Sequence, residues 1–168
     1  MLRIILADID EHKHHVKELF WEYLEWANLM AIQEFDVSFD VSIALEQDMA
    51  KLHQFAAPEG RLLLGAWEGK IVGCAGLRKI ANDVGEVKRM YVRPEYRRKG
   101  IGRLLLEALV NQARQNNYLK IRLDSAPFAK ESQALYRSLG FYRIEPYAGS
   151  EAPEQYYSYW TFMEMALK

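Results

Sequence analysis

Cysteine is nearly absent from this chain. Cys74 is the only one in 168 residues, which excludes an intrachain disulfide and fits a reducing compartment, the cytoplasm. It lies in the apolar run "KIVGCAGL" and reads as a buried bystander. Long hydrophobic runs are missing too. The opening "MLRIILADID" has a short apolar stretch broken by Asp8 and Asp10, too short for the core of a signal peptide. Nothing approaches the ~18 consecutive apolar residues of a membrane span. A basic surplus is also lacking: Lys and Arg number 22 against 23 Asp and Glu, a formal charge of −1, so a general nucleic-acid binder is not expected. Internal repeats, low-complexity segments and linkers do not occur. With half of its residues hydrophobic, the chain has enough apolar material for one domain, 1–168, with its own core. The expectation is a soluble cytoplasmic protein that engages neither membrane nor nucleic acid.

Periodicity supplies the element order. Residues 3–7 read as a strand. Val16, Leu19, Phe20, Tyr23, Leu24 and Ala27 recur at helical spacing over 11–27, with Asp10 as N-cap. A second amphipathic helix is expected over 41–55, and "NLMAIQEFDVSF" between the two has no clear period. Then "RLLLGAWEGKIVGCAGLRKI" reads as two strands about the turn Glu68-Gly69, a hairpin signal, and "GEVKRMYV" as a third. A helix follows Gly100, then the strand "LKIRLDS", then a short helix "ESQALYRSL" closed by Gly140. "FYRIEPY" and "YYSYWTFMEMAL" read as the last two strands. The order β-α-α-β-β-β-α-β-α-β-β implies an α/β (α+β) fold: a mixed, mostly antiparallel sheet of about seven strands flanked by about four helices.

The segment "YVRPEYRRKGIGRLLLEAL" places basic residues and two glycines where a strand runs into a helix. The dinucleotide fingerprint G-x-G-x-x-G fails, because Leu105 stands where its third glycine belongs. The mononucleotide loop G-x-x-x-x-G-K-[ST] occurs nowhere. What remains is strand, R-x-x-G-x-G, helix. The first turn of a helix exposes unpaired N–H groups and partial positive charge. Gly100 and Gly102 have no Cβ to keep an anion from those amides, and Arg97, Arg98, Lys99 and Arg103 flank them. The pattern points to a phosphate site, with a basic surface turn as the alternative.

With the strand that feeds it, this motif resembles the GNAT superfamily of acetyl-CoA-dependent N-acetyltransferases, whose core reads strand, [QR]-x-x-G-x-[GA], helix. Arg97, Gly100 and Gly102 match it position for position. A second family motif, an aromatic ahead of a G-F pair, matches "LYRSLGF". The resemblance spans nearly the whole chain and is weakest over 28–60 and 146–157. It implies that the pyrophosphate of acetyl-CoA lies on the amides from Arg98 through Lys99, Gly100, Ile101 and Gly102 to Arg103. It also implies that the backbone of Met90, Tyr91 and Val92 runs beside the pantetheine arm, where one N–H would polarise the thioester carbonyl. Pro94, with no N–H, is expected to end the strand's pairing and open the crevice.

Acetyl transfer to an amine by direct attack on the thioester needs a neutral amine, a polarised carbonyl and a place for the thiolate's charge. The resemblance offers Glu86 and Asp124 as candidate general bases and leaves the choice between them, or water alone, open. Tyr136 matches the family's general-acid tyrosine. Many relatives carry an Asn seven residues before that Tyr; here the position is Ala129, with Lys130 and Ser132 nearby. The implied function is N-acetylation of a primary amine on a small molecule or peptide. A non-catalytic acyl-CoA sensor of the same fold is the alternative, and the identity of the acceptor is open. The resemblance also allows a homodimer. His12 and His15 sit one turn apart with no ligand partner at zinc-like spacing, so no metal is expected. Trp26 and half of the "YYSYW" run are candidates for acceptor contact, and the acidic residues of "EFDVSFD" and "GSEAPE" hint at a cationic acceptor.

Overall fold

The computed structural model describes residues 1–167. In chain order its elements are β1 (Leu2–Leu6), α1 (Lys13–Phe35), α2 (Val41–Ala50), β2 (Arg61–Trp67), β3 (Lys70–Ala81), β4 (Val84–Val92), α3 (Ile101–Gln115), β5 (Lys120–Ser125), α4 (Lys130–Ser138), β6 (Tyr142–Ile144) and β7 (Thr161–Ala166). The seven strands form one mixed sheet in the order β1-β2-β3-β4-β5-β7-β6. Every pairing is antiparallel except β4 with β5. The expected order and fold class therefore hold.

Both faces of the sheet are covered. Leu63 packs in one core with Leu105 and Leu109 of α3 and Tyr136 of α4. Its neighbours Leu62 and Leu64 pack in the other, with Val16, Leu19 and Phe20 of α1 and Leu45 of α2. Side chains alternate along a strand, so a strand covered on both sides reads as an unbroken apolar run, as β2 does. The β2–β3 hairpin turns through Glu68 and Gly69, both at positive φ (50° and 81°), the geometry a two-residue loop needs to follow strand twist. Among the described residues no helix is long and apolar enough to cross a membrane.

Several boundaries differ from the sequence reading. Asp10 does not cap α1; Asp8 Oδ1 accepts the N–H groups of Asp10 and Glu11, and the helix starts at Lys13. The helix runs on to Phe35, where Asp36 takes a left-handed φ of 55°. Residues 41–55 are not one helix: α2 ends at Ala50 and a 3-10 turn, Leu52–Phe55, follows. β6 keeps only three residues. Tyr156, Tyr157 and Tyr159 lie in a turn before β7 rather than on a strand, so strand alternation does not sort them. Tyr156 stacks on Phe35 with ring centroids 5.3 Å apart, while Tyr159 is exposed.

One irregularity positions the site. Along β3 and β4 the register passes from Cys74↔Tyr91 to Gly76↔Lys88, so Arg89 and Met90 together oppose Ala75 in a β-bulge. Arg89 holds φ at 55°, uncommon for a side-chain-bearing residue. Asp48 of α2 fixes it through two hydrogen bonds of 2.7 Å, from Nε and Nη2. Its guanidinium lies 5.2 Å from the Tyr23 ring centre, and the Cys74 thiol meets its carbonyl at 3.2 Å. Both members of the ion pair are mostly buried. An Asp48→Ala variant strands the guanidinium, with an expected loss of about 3 kcal/mol of stability. Urea denaturation checks this; an unchanged midpoint would mean that the bulge stands without the pair.

Candidate active site

The parallel pairing of β4 and β5 is short. It covers Val84↔Lys120, Gly85↔Ile121 and Glu86↔Arg122 and then stops, although β4 continues to Val92 and β5 to Ser125. The Arg89 bulge follows three residues after the last pair. Pro94 lies eight residues past the last pair, in a 3-10 turn (Pro94–Tyr96), and is not the cause of the opening. A cleft of about 710 Å³ occupies the gap and is lined from both helical layers. Antiparallel strands alternate the sides to which successive residues turn their polar groups. Because Arg93 N–H donates to Val72 O, Val92 turns its own N–H and C=O away from β3 and toward the gap.

At one end stands the start of α3. Gly100 is its N-cap at φ 81°, preceded by Arg98 at φ 64°. No side chain caps the helix, and its first backbone bond runs from Leu104 N–H to Gly100 O. The amides of Ile101, Gly102 and Arg103 are left without an intrahelical acceptor, an arrangement suited to an anion. A Cβ on Gly100 would meet nothing within 4 Å, so glycine serves the backbone angle there.

Met90, Tyr91, Val92, Arg97 and Arg98 line the cleft, as do Gly100, Ile101, Gly102 and Arg103. Lys99 does not; its ammonium sits 5.2 Å from the Trp67 ring centre. Arg97 is more than a free charge: its Nε donates to Val92 O at 2.8 Å and ties the loop to the end of β4. Arg103 Nη2 reaches Ser138 Oγ at 2.8 Å and links α3 to α4. Ala129 precedes α4 without a capping side chain, and Lys130 and Ser132 face the cleft beside it.

The three candidate catalytic side chains separate. Tyr136 lines the cleft, and among the described residues nothing hydrogen-bonds its hydroxyl. Burial pushes its phenol up, and the nearby Tyr23 and Asp124 add to the push. Asp124 also lines the cleft and accepts Ser150 Oγ–H at 2.8 Å. Glu86 does not line it. It is 0% exposed, and its two oxygens accept Arg78 Nε at 2.7 Å and the Tyr147 hydroxyl at 2.6 Å. Burial raises its carboxyl against the pull of Lys88, Tyr147 and Arg78.

Sequence reasoning found Trp26 and Trp160 but missed Tyr23, Met30 and Phe128 in the lining. Tyr23, Trp26 and Met30 share one helical face by spacing, a signal hidden while α1 was ended near residue 27. The connection between β6 and β7 was equally opaque. It is strapped to the sheet by Arg78 Nη2 to Gly149 O at 2.6 Å, by Lys88 to Glu151, and by the Tyr147 and Ser150 bonds. Burial would raise the Glu151 carboxyl, but the Lys88 ammonium prevails and holds it at about 2. Lys88, Arg89 and Arg93 are thus paired with Glu151, Asp48 and the Glu18–Glu22 couple and form no bare basic patch. His12 Nδ1 accepts Asp8 N–H; no group of three or more His, Cys, Asp or Glu among the described residues is placed to hold a metal.

The sequence profile of the Acetyltransferase (GNAT) family matches residues 14–141. An IAA acetyltransferase of Azospirillum brasilense is 33% identical, over 70% of this chain and 78% of that protein. An uncharacterized N-acetyltransferase of Dictyostelium discoideum is 24% identical, over 84% and 90%. Among solved structures, the PaiA N-acetyltransferase of Thermoplasma acidophilum in complex with coenzyme A superposes with a TM-score of 0.75, covering 99% of each chain at 18% identity.

Proposed function

The chain belongs to the GNAT family of acetyl-CoA-dependent N-acetyltransferases, and from that membership we propose that it transfers the acetyl group to a primary amine by direct attack on the thioester. The observation that carries this reading is the parting of β4 from β5 beside the uncapped start of α3, with Tyr136 and Asp124 facing the same cleft. In this reading the pyrophosphate lies on the amides of Ile101, Gly102 and Arg103 with Arg98 alongside, and the Val92 N–H polarises the thioester carbonyl. The amine nitrogen forms a bond to the carbonyl carbon as the C–S bond breaks. Asp124, directly or through water, takes one proton from the arriving ammonium before the attack. The second leaves the nitrogen through water as the amide forms and passes to the departing thiolate, which takes a hydrogen bond from the Tyr136 hydroxyl. Glu86 acts at one remove, holding Tyr147 and with it the strap over the acceptor side. Cys74 supports direct attack over an acyl-enzyme: it lies outside the cleft lining, and burial pushes its thiol up to about 12 against the influence of Arg89.

Calorimetry with acetyl-CoA, alongside thiol release with an amine panel, tests the assignment. Micromolar binding is expected, and Gly100→Val should weaken it at least about tenfold by bending the amides away from the anion. The same change should lower stability by about 1–2 kcal/mol through the positive φ. Undiminished binding in that variant, or binding with no thiol release from any amine, would leave the acyl-CoA sensor as the better reading.

A further inference from the structure

The α1 side of the cleft is walled largely by aromatic rings. Tyr23, Trp26 and Met30 project from one face of α1, Phe128 comes from the loop after β5, and Trp160 stands just ahead of β7. The Trp26 and Phe128 rings meet edge to face with centroids 5.3 Å apart, and Tyr23 lies 6.1 Å from Trp26 on its other side. Apolar walls with few polar groups are the ordinary make-up of a small-molecule pocket, and the polar groups decide orientation.

Charge decides which orientation. Both basic residues of β4 that face the cleft are already neutralised: Lys88 by Glu151, and Arg89 by the bidentate contact with Asp48. Asp124 is different. It accepts only the Ser150 hydroxyl, and among the described residues no cation lies within ion-pair distance of it. An arriving ammonium therefore finds Asp124 uncompensated, while a ligand carboxylate beside that ammonium would face the same Asp124. The cations of the lining left unpaired among the described residues, such as Arg98 and Lys130, stand at the starts of α3 and α4. A second ammonium further along the ligand would lie among the rings of Tyr23, Trp26, Phe128 and Trp160, and contact with ring faces alone does not offset its desolvation.

We propose that the acceptor is a primary amine carried on an aromatic or similarly apolar body, with no carboxylate next to the amine and no second cation. The body lies among Trp26, Phe128, Tyr23 and Trp160, and the amine lies at Asp124. This rests on the transfer reading above and narrows its substrate class.

A matched trio tests it: 2-phenylethylamine, phenylalanine (the same body with a carboxylate added) and spermidine (several cations, no apolar body). Each is measured twice on the full chain: binding to the protein loaded with coenzyme A, and kcat/KM by thiol release. The expected result is a preference for 2-phenylethylamine over both others of about tenfold or more in both measurements. That preference should collapse in Trp26→Ala and in the loop variant Phe128→Ala, the second guarding against a helix that fails to fold. Equal binding of the three, or preference for phenylalanine or spermidine, overturns the proposal even if acetylation proceeds. Selective binding of 2-phenylethylamine without turnover of any amine upholds the pocket and overturns the transfer reading instead.

Discussion

Replacing Asp124 by Asn should lower kcat at pH 7 by about 10²–10³-fold while acetyl-CoA binding stays nearly unchanged. An alkylammonium with a pKa near ~10.4 is neutral in only about one molecule in 2,500 at that pH, a cost of roughly 4–5 kcal/mol that a positioned base helps to meet. Asn fills the same volume and still accepts the Ser150 hydroxyl, so the Asp124 site keeps its shape. The diagnostic is the pH profile. As pH rises toward the pKa of the amine, the substrate arrives already neutral and the deficit of the variant should shrink. A deficit that stays constant with pH would mean that Asp124 positions the amine and does not take its proton. No deficit at all would return the role to water or to Glu86, which a Glu86→Gln protein then resolves.

Tyr136→Phe is expected to reduce kcat by about 10²-fold with little change in acetyl-CoA affinity, the pattern of an interaction made only in the transition state. An ordinary phenol near ~10 giving its proton to a thiolate near ~8.5 is already uphill by about 2 kcal/mol. Burial pushes the Tyr136 phenol higher still, so full transfer becomes less favourable and a hydrogen bond to the developing charge is the economical role. The hydroxyl faces the cleft and has no hydrogen-bond partner among the described residues to lose, and the ring keeps its packing against Phe141 at 5.7 Å, so the variant should fold normally. Steady-state kinetics beside calorimetry settles it; unchanged turnover would make Tyr136 a packing residue.

How much of this was legible in the sequence depended on how local the determinant was. The hairpin at Glu68-Gly69, the step from β4 through the glycine loop into α3, and the apolar runs of β2 and β3 are set by neighbours within a few residues, and these were read correctly. The end of α1 was not, because Leu29 and Ile32 are exposed and break the inward period, while the stop is made by Asp36 in a left-handed conformation that Asp adopts without advertising it. The opening between β4 and β5 was expected but credited to Pro94. The Arg89 bulge that follows the last pair is held by Asp48, 41 residues away, and a partner at that separation leaves no periodic trace. Glu86 and Asp124 looked equivalent as carboxylates on adjacent strands. Only the register, which stops at Glu86↔Arg122, sends one beneath the strap and the other into the gap.

Because the cleft between β4 and β5 is lined by α3 and α4 on one side of the sheet and by α1 on the other, the proposed donor and acceptor sites rest on different elements. Substitutions on the α1 face can therefore retune the proposed acceptor side without rebuilding the start of α3.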